Sequence, residues 1–427
     1  MTGSSDLKSA LKIAIVSDYV KQGGAAIACN RLAVSLADAG NEVRRFALER
    51  GPRPANSHPQ LTYVSEPFGR RAGAVIELAS AFDCQVFSRF LRLKEVERRL
   101  VGALREWQPD IVNVHNLHAF SPQFSLVPEL AKLAPVVWTL HDMWSFTGRC
   151  AYSDNCLQFE TGCTASCPTA FEYPAIPNAL ISSEFKNRER FFAINKRVTA
   201  VTPSQWLANE AGRGLWRKHR IEVIPYSLDL QLYQPIERNI ARTALGLPET
   251  GRPYVLLAAD YLSERRKGGA MISPALAACR HEITILTLGN HAPANLPPNA
   301  HLVHLGYISE ERTKALVYSA ADLLLHAAPT DNLPNTVIES LACGTPVLAF
   351  RTGGLPEMVL PSKTGWLVEE LSEEALGKML SIALDSIVEM APPRVEIRSF
   401  AEENYSPAKQ STAYRRLFDS LIKSPRF

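Results

Sequence analysis

The feature that most limits what this chain can fold into is a rhythm of short apolar strands and helices that starts at residue 11 and begins afresh near residue 253. "LKIAIVS" (11 to 17) is a continuous apolar run, as a strand covered on both faces must be. "DYVKQGGAAIACNRLAVSLADAG" then supplies a glycine-bearing turn and a helix ending at Gly40, and "NEVRRFAL" returns to strand pattern, which makes a β-α-β unit. Strand candidates recur at "DIVNVHN" (110 to 116), "PVVWTLHD" (135 to 142), "VTAVTPS" (198 to 204) and "IEVIPYS" (221 to 227), mostly separated by helical stretches. The alternation predicts a parallel sheet with helices on both faces. After "LDLQLYQPIERN" come "PYVLLAAD", "EITILTLGN", "HLVHLGYIS", "ADLLLHAAP", "TPVLAFRTGG" and "TGWLVEEL", a second α/β domain. The boundary is expected near residues 228 to 236, a polar linker flanked by Pro225 and Pro235.

Two domains also suit the size, since 427 residues exceed what one core normally serves. A formal charge of +3 is too small to argue for a nucleic-acid partner. The start of the chain lacks the pattern of a signal peptide and no run approaches a membrane span, so a cytoplasmic protein is expected, with contact to the inner membrane face still open. Residues 68 to 104 read as one or two amphipathic helices with arginines beside apolar residues. They make either a packed insertion with a solvated basic face or a surface for a lipid-linked acceptor.

Ligands of open α/β sheets sit beyond the carboxyl ends of the strands, so the loops there are the candidate sites. Gly23 and Gly24 lie between a strand and a helix, where backbone amides can approach an anion or a sugar, although a bare tight turn would read the same. His141 ends an apolar strand and precedes Asp142 and Trp144, a place from which a neutral imidazole can meet a sugar hydroxyl, although a purely structural histidine would read the same. His115 and His118 make a weaker case. Arg265, Arg266 and Lys267 precede two glycines and a helix, which suits a diphosphate, although a solvated loop would read the same. In "PTDNLPNTVIESLACGTPVLAF", Pro334 fits the first helical position with Asn332 or Leu333 as cap and Gly344 as the stop. That leaves Asp331 in the loop and Glu339 about a turn and a half inside the helix. Cys150, Cys156, Cys163 and Cys167 place four thiols in 18 residues, a set for a structural zinc, with unmetallated thiols or disulfides as alternatives. Cys29, Cys84, Cys279 and Cys343 fit buried helix positions.

The motifs together carry a resemblance. The Lys267-Gly268 loop, "TLGN", "HLGY" and the stretch from "YSAADLLLHAAPTDNLPNTVIES" to "TGWLV", with "GGAA", "HD" and "TPSQWL" in the first half, resemble the retaining nucleotide-sugar glycosyltransferases of family four, the group 1 type, in a polysaccharide- or capsule-assembling branch. The resemblance implies the GT-B fold, two Rossmann-like doubly wound parallel-sheet domains facing a central cleft. It divides the chain into an acceptor-side domain (1 to 230, with the insertion at 68 to 104 and the cysteine-rich loop at 150 to 167), a nucleotide-sugar domain (231 to 405) and a helix at 406 to 427 crossing back to the first.

Family members carry a Glu-x7-Glu pair, the first for the donor sugar and the second for the ribose. Here the pair is Asp331 and Glu339, the first one methylene shorter. The position of the family's phosphate arginine, near Ala258 to Asp260, holds no cation, so Arg266 or Arg265 substitutes beside Lys267. The resemblance implies His141, Asp331 and Lys267 as the catalytic set. Gly23, Gly24, Arg266, Lys267, Asn332, Leu333, Pro334, Asn335, Thr336 and Glu339 then bind the donor. It further implies transfer from a UDP- or GDP-sugar to a glycan or lipid-linked acceptor with retention, without a catalytic cofactor; no Asp-x-Asp occurs to hold a metal. A nucleotide-sugar epimerase and a catalytically silent carbohydrate-binding scaffold are the alternatives.

Overall fold

A computed structural model describes residues 10–20, 23–48, 58–64, 85–118, 124–169, 174, 176–195, 197–262, 264–390 and 393–423. The chain forms two compact units. One comprises the residues up to Pro203, Ala208–Ile224 and the chain from Gln410 onward; the other comprises Ser204–Leu207 and Pro225–Lys409.

The first unit holds a seven-stranded, all-parallel sheet in the order β3-β2-β1-β4-β5-β6-β7. Its strands are β1 (Lys12–Ser17), β2 (Glu42–Ala47), β3 (Gln60–Tyr63), β4 (Ile111–Val114), β5 (Val136–Thr139), β6 (Val198–Thr202) and β7 (Ile221–Val223). The central strands β4, β5 and β6 are buried along their whole length, which is why apolar residues dominate them, with Asn113, Thr139, Thr199 and Thr202 as buried polar exceptions. The edge strand β3, "QLTY", is half exposed and too short and polar to announce itself; sequence reasoning missed it. The predicted insertion at 68 to 104 is in part a helix, Gln85–Trp107; residues 68 to 84 lie outside the described residues.

The last helix, Pro407–Lys423, contributes Tyr414, Leu417 and Phe418 to the core that Ile13, Ile15, Leu32, Leu36 and Val137 form in this unit. Burial of each such side chain contributes about 1.5–3 kcal/mol, so these three residues, hundreds of positions away in sequence from β1, help to stabilise the first sheet.

The second unit holds six parallel strands in the order β10-β9-β8-β11-β12-β13. They are β8 (Tyr254–Ala258), β9 (Ile283–Leu288), β10 (Ala300–His304), β11 (Leu323–His326), β12 (Val347–Phe350) and β13 (Gly365–Val368). Both orders place the third, second and first strands before the fourth, so each sheet reverses direction once. That switch point, β1/β4 in one unit and β8/β11 in the other, opens a crevice at the strands' carboxyl ends. Among the described residues no helix is long and apolar enough to cross a membrane.

Candidate active site

In the second unit the switch point is where the charged residues meet. β8 runs into a 3-10 turn, Arg265–Lys267, followed by the helix Gly269–Ala278. The turn can press against the sheet only because glycines follow it. A Cβ on Gly268, which has φ +70°, would lie 1.9 Å from the carbonyl oxygen of Ala327, and one on Gly269 1.9 Å from that of Leu262. The Lys-Gly-Gly sequence is therefore a packing requirement that brings Lys267 to the end of β11.

There Lys267 Nζ donates to Asp331 Oδ2 at 3.1 Å, Arg266 Nη1 lies 3.9 Å from the same oxygen, and the Asn332 amide donates to Oδ1 at 3.0 Å. Asp331 is buried, which would raise its pKa, but Lys267 with His326 and Arg266 beside it holds the carboxyl well below the usual range. Behind it the "RTGG" turn closes in. Gly354 N–H donates to the Asp331 carbonyl at 3.0 Å, and a Cβ on Gly353 would sit 2.0 Å from that oxygen.

Asn332, Leu333 and Pro334 carry the chain into the helix Asn335–Ala342, with Thr336 in its first turn. Pro334, with ψ 128°, is the cap residue and the helix begins at Asn335, one position later than the sequence suggested. Cys343 closes the helix and Gly344 follows with φ +72°. Glu339 is buried mid-helix, where its Oε2 accepts from the Tyr318 hydroxyl at 2.9 Å. Tyr318 is pushed well above its usual pKa by burial and by that carboxylate, so it remains a donor.

His326 was not singled out from the sequence. It ends β11, is 6% exposed, and points Nε2 at Asp331 Oδ2 from 3.6 Å, beyond hydrogen-bond distance; that nitrogen has no hydrogen-bond partner. A polar residue closing an apolar strand is the signal that drew attention to His141, and "LLLHAAP" carries it equally.

In the first unit the switch point collects Gly23 and Gly24, which open the helix Gly23–Asp38 after β1, and the residues that follow β4 and β5. His141 is buried among His115, Asp142 and Trp144. His115 Nδ1 lies 2.9 Å from His141 Nε2, with the rings stacked. Burial lowers the pKa of His141 to about 4 against the pull of Asp142, and holds His115 well below the usual value; both are neutral near pH 7. His118 and Asp142 form a separate buried pair at 3.0 Å. Burial disfavours both charges, but their attraction prevails, raising His118 and lowering Asp142.

Of the alternatives for the four cysteines, the structure describes them as free thiols. Among the described residues no group of three or more His, Cys, Asp or Glu side chains is disposed to hold a metal ion. Cys150 and Cys163 are buried thiols pushed by burial to about 12 and about 11, and Gly148 N–H donates to Cys163 Sγ at 3.1 Å. Two buried arginines missed in the sequence tie the loop down. Arg149 donates to the Thr169 and Pro174 carbonyls, and Arg188 donates to the Thr147 carbonyl at 2.5 Å while lying over the Trp144 ring. Cys29, Cys279 and Cys343 are buried as expected; Cys84 lies outside the described residues.

Residues 22–232 match the family model described as Glycosyltransferase Family 4, and residues 292–398 match that described as Glycosyl transferases group 1. The chain is a family-four glycosyltransferase. It is 24% identical over 356 residues, 81% of this chain and 83% of the relative, to a protein of Escherichia coli (strain K12) named as a colanic acid biosynthesis glycosyl transferase, WcaC. The fold matches sucrose-phosphate synthase from Thermosynechococcus elongatus with a TM-score of 0.71, at 18% identity, over 97% of this chain and 100% of that one. It also matches Anabaena Alr3699/HepE, solved with UDP and glucose, with a TM-score of 0.65, at 17% identity, over 96% and 100%. This glycosyltransferase accordingly has the GT-B fold and, as a family member, is a retaining, metal-independent enzyme that uses a nucleotide sugar.

Proposed function

We propose that this glycosyltransferase moves a hexose-type unit from a UDP- or GDP-sugar to a glycan or lipid-linked glycan acceptor in polysaccharide assembly. The observation that carries the reading is the cluster of Lys267, Arg266 and His326 around Asp331 at the switch point of the second sheet. Lys267, paired with Asp331, and Arg266, shared between Glu264 at 3.5 Å and Asp331 at 3.9 Å, stand beside the N-terminus of the helix Asn335–Ala342, a set of donors that suits a diphosphate. As the bond to the sugar breaks, Lys267 and Arg266 stabilise the charge gathering on the departing diphosphate, while Asp331 faces the cationic sugar carbon. Glu339, with Tyr318 fixing one oxygen, takes the ribose hydroxyls with the other. In the first unit His141 meets the transferred sugar, and Gly23 and Gly24 border its binding place.

A polysaccharide role is supported by the similarity to the colanic acid enzyme, and a UDP-sugar donor by the HepE likeness. A cytoplasmic site of action accords with the free thiols. A screen of nucleoside diphosphate sugars by thermal shift, followed by product analysis with labelled donor, tests the reading. The right donor raises the melting temperature and yields a glycan with the donor's anomeric configuration. Free epimerised sugar nucleotide, or binding without turnover, would sink it. Activity undiminished by chelator is expected.

A further inference from the structure

Behind His141 runs a chain of buried polar groups that the proposed reaction does not by itself require. Asn113, on β4, has its Nδ2 at 2.9 Å from the Val137 carbonyl oxygen and 3.0 Å from Thr139 Oγ1. A carbonyl accepts only, so the amide atom facing Val137 is the NH2 group, and the orientation of Asn113 is fixed by chemistry. Its Oδ1 is thereby turned to His115 Nε2, 3.1 Å away. An amide oxygen also accepts only, so the His115 proton sits on Nε2. His115 is held neutral by burial, with His141 and the Arg45 guanidinium adding to the effect, so its Nδ1 keeps a lone pair. That lone pair faces His141 Nε2 at 2.9 Å, and a hydrogen bond between the two nitrogens requires the proton on His141.

We infer that Asn113 and His115 are positioning residues that lock His141 as the Nε2–H tautomer, leaving its Nδ1 able only to accept a hydrogen bond. Every group that meets His141 through Nδ1 must then donate, as a sugar hydroxyl does. A metal-free site gains in this way what outer partners give to ligating histidines, a fixed ring orientation and a fixed tautomer. The chain continues from Thr139 Oγ1 to the Tyr414 hydroxyl at 2.9 Å, so the last helix of the protein is bonded into the same relay.

The consequence for catalysis rests on the reading of His141 as a sugar contact; the tautomer does not, and the two are tested apart. In the full-length protein labelled with 15N-histidine, the His141 signals are identified by their loss in His141→Gln, and Nε2 should carry the proton with Nδ1 unprotonated. A wild-type His141 protonated on Nδ1 overturns the inference. His115→Phe keeps a flat ring without the acceptor; it should mix the His141 tautomers and lower kcat by about 10- to 100-fold. His115→Asn restores an acceptor near the Nδ1 place and should recover both readouts. Lower activity in His115→Phe with an unchanged His141 tautomer overturns the inference, because packing alone would then account for it. The predicted tautomer together with full activity of His141→Gln leaves the relay standing and removes the sugar contact.

Discussion

Asp331 and Glu339 sit in different surroundings, and their substitutions should separate accordingly. Asp331→Asn removes the charge that Lys267 and Arg266 flank and should lower kcat by about 10- to 100-fold, with donor affinity changing less. Glu339→Ala deletes charge-assisted hydrogen bonds worth about 1.5–3 kcal/mol and should weaken nucleotide-sugar binding by roughly 10- to 150-fold in a direct titration. Undiminished binding would remove the ribose role. The buried histidines predict a pH effect on stability. His141 titrates near 4 when folded and near 6.5 when unfolded, so the unfolded chain takes up the extra proton between those values. Stability contributed by its neutral form is complete above pH 6.5 and declines as the pH falls, by ~3 kcal/mol once below the folded value. His115 acts in the same sense. His118 acts oppositely: its pKa is raised by Asp142, so its contribution is present at low pH and lost as pH rises through the folded value. Urea denaturation of wild type and His141→Gln across this range should show a shallower acid decline in the variant.

At the scale of an element, the turn Arg265–Lys267 is placed by the two glycines after it. Gly268→Ala puts a methyl 1.9 Å from the Ala327 carbonyl in a left-handed backbone, whereas Gly306, with φ +72°, has open space around its Cβ position. Gly268→Ala should therefore destabilise the second unit by about 2–4 kcal/mol and displace Lys267, while Gly306→Ala carries only the backbone penalty of about 1 kcal/mol. Denaturation midpoints and donor affinity for the two variants decide this; equal effects would show that the close approach is unimportant. Much of this scale was legible. The central strands announced themselves because they are buried on both faces, but β3 did not, because an edge strand four residues long needs no apolar run. The helix Asn335–Ala342 starts one residue later than its sequence suggests, since proline fits either the cap or the first turn.

For the whole molecule, the first unit is completed by residues from the far end of the chain. Phe418→Ala, which empties a fully buried site among Ile13, Ile15 and Leu32, should cost the first unit about 3–5 kcal/mol. Ending the chain after Lys409 should lower the melting transition further, and an unchanged transition would contradict the packing described. Local pattern carries the strand-helix rhythm, the division into two sheets and the loops at the strand ends, because burial on both faces and turn formation leave their mark on neighbouring residues. Tertiary structure alone decided which of those loops meet. It brought His326 to Asp331, aligned Asn113 and His115 behind His141, engaged Cys163 with a backbone amide and closed the first core with Tyr414 and Phe418. Such contacts join residues distant in sequence, and their distances and protonation follow from burial, which no local pattern records.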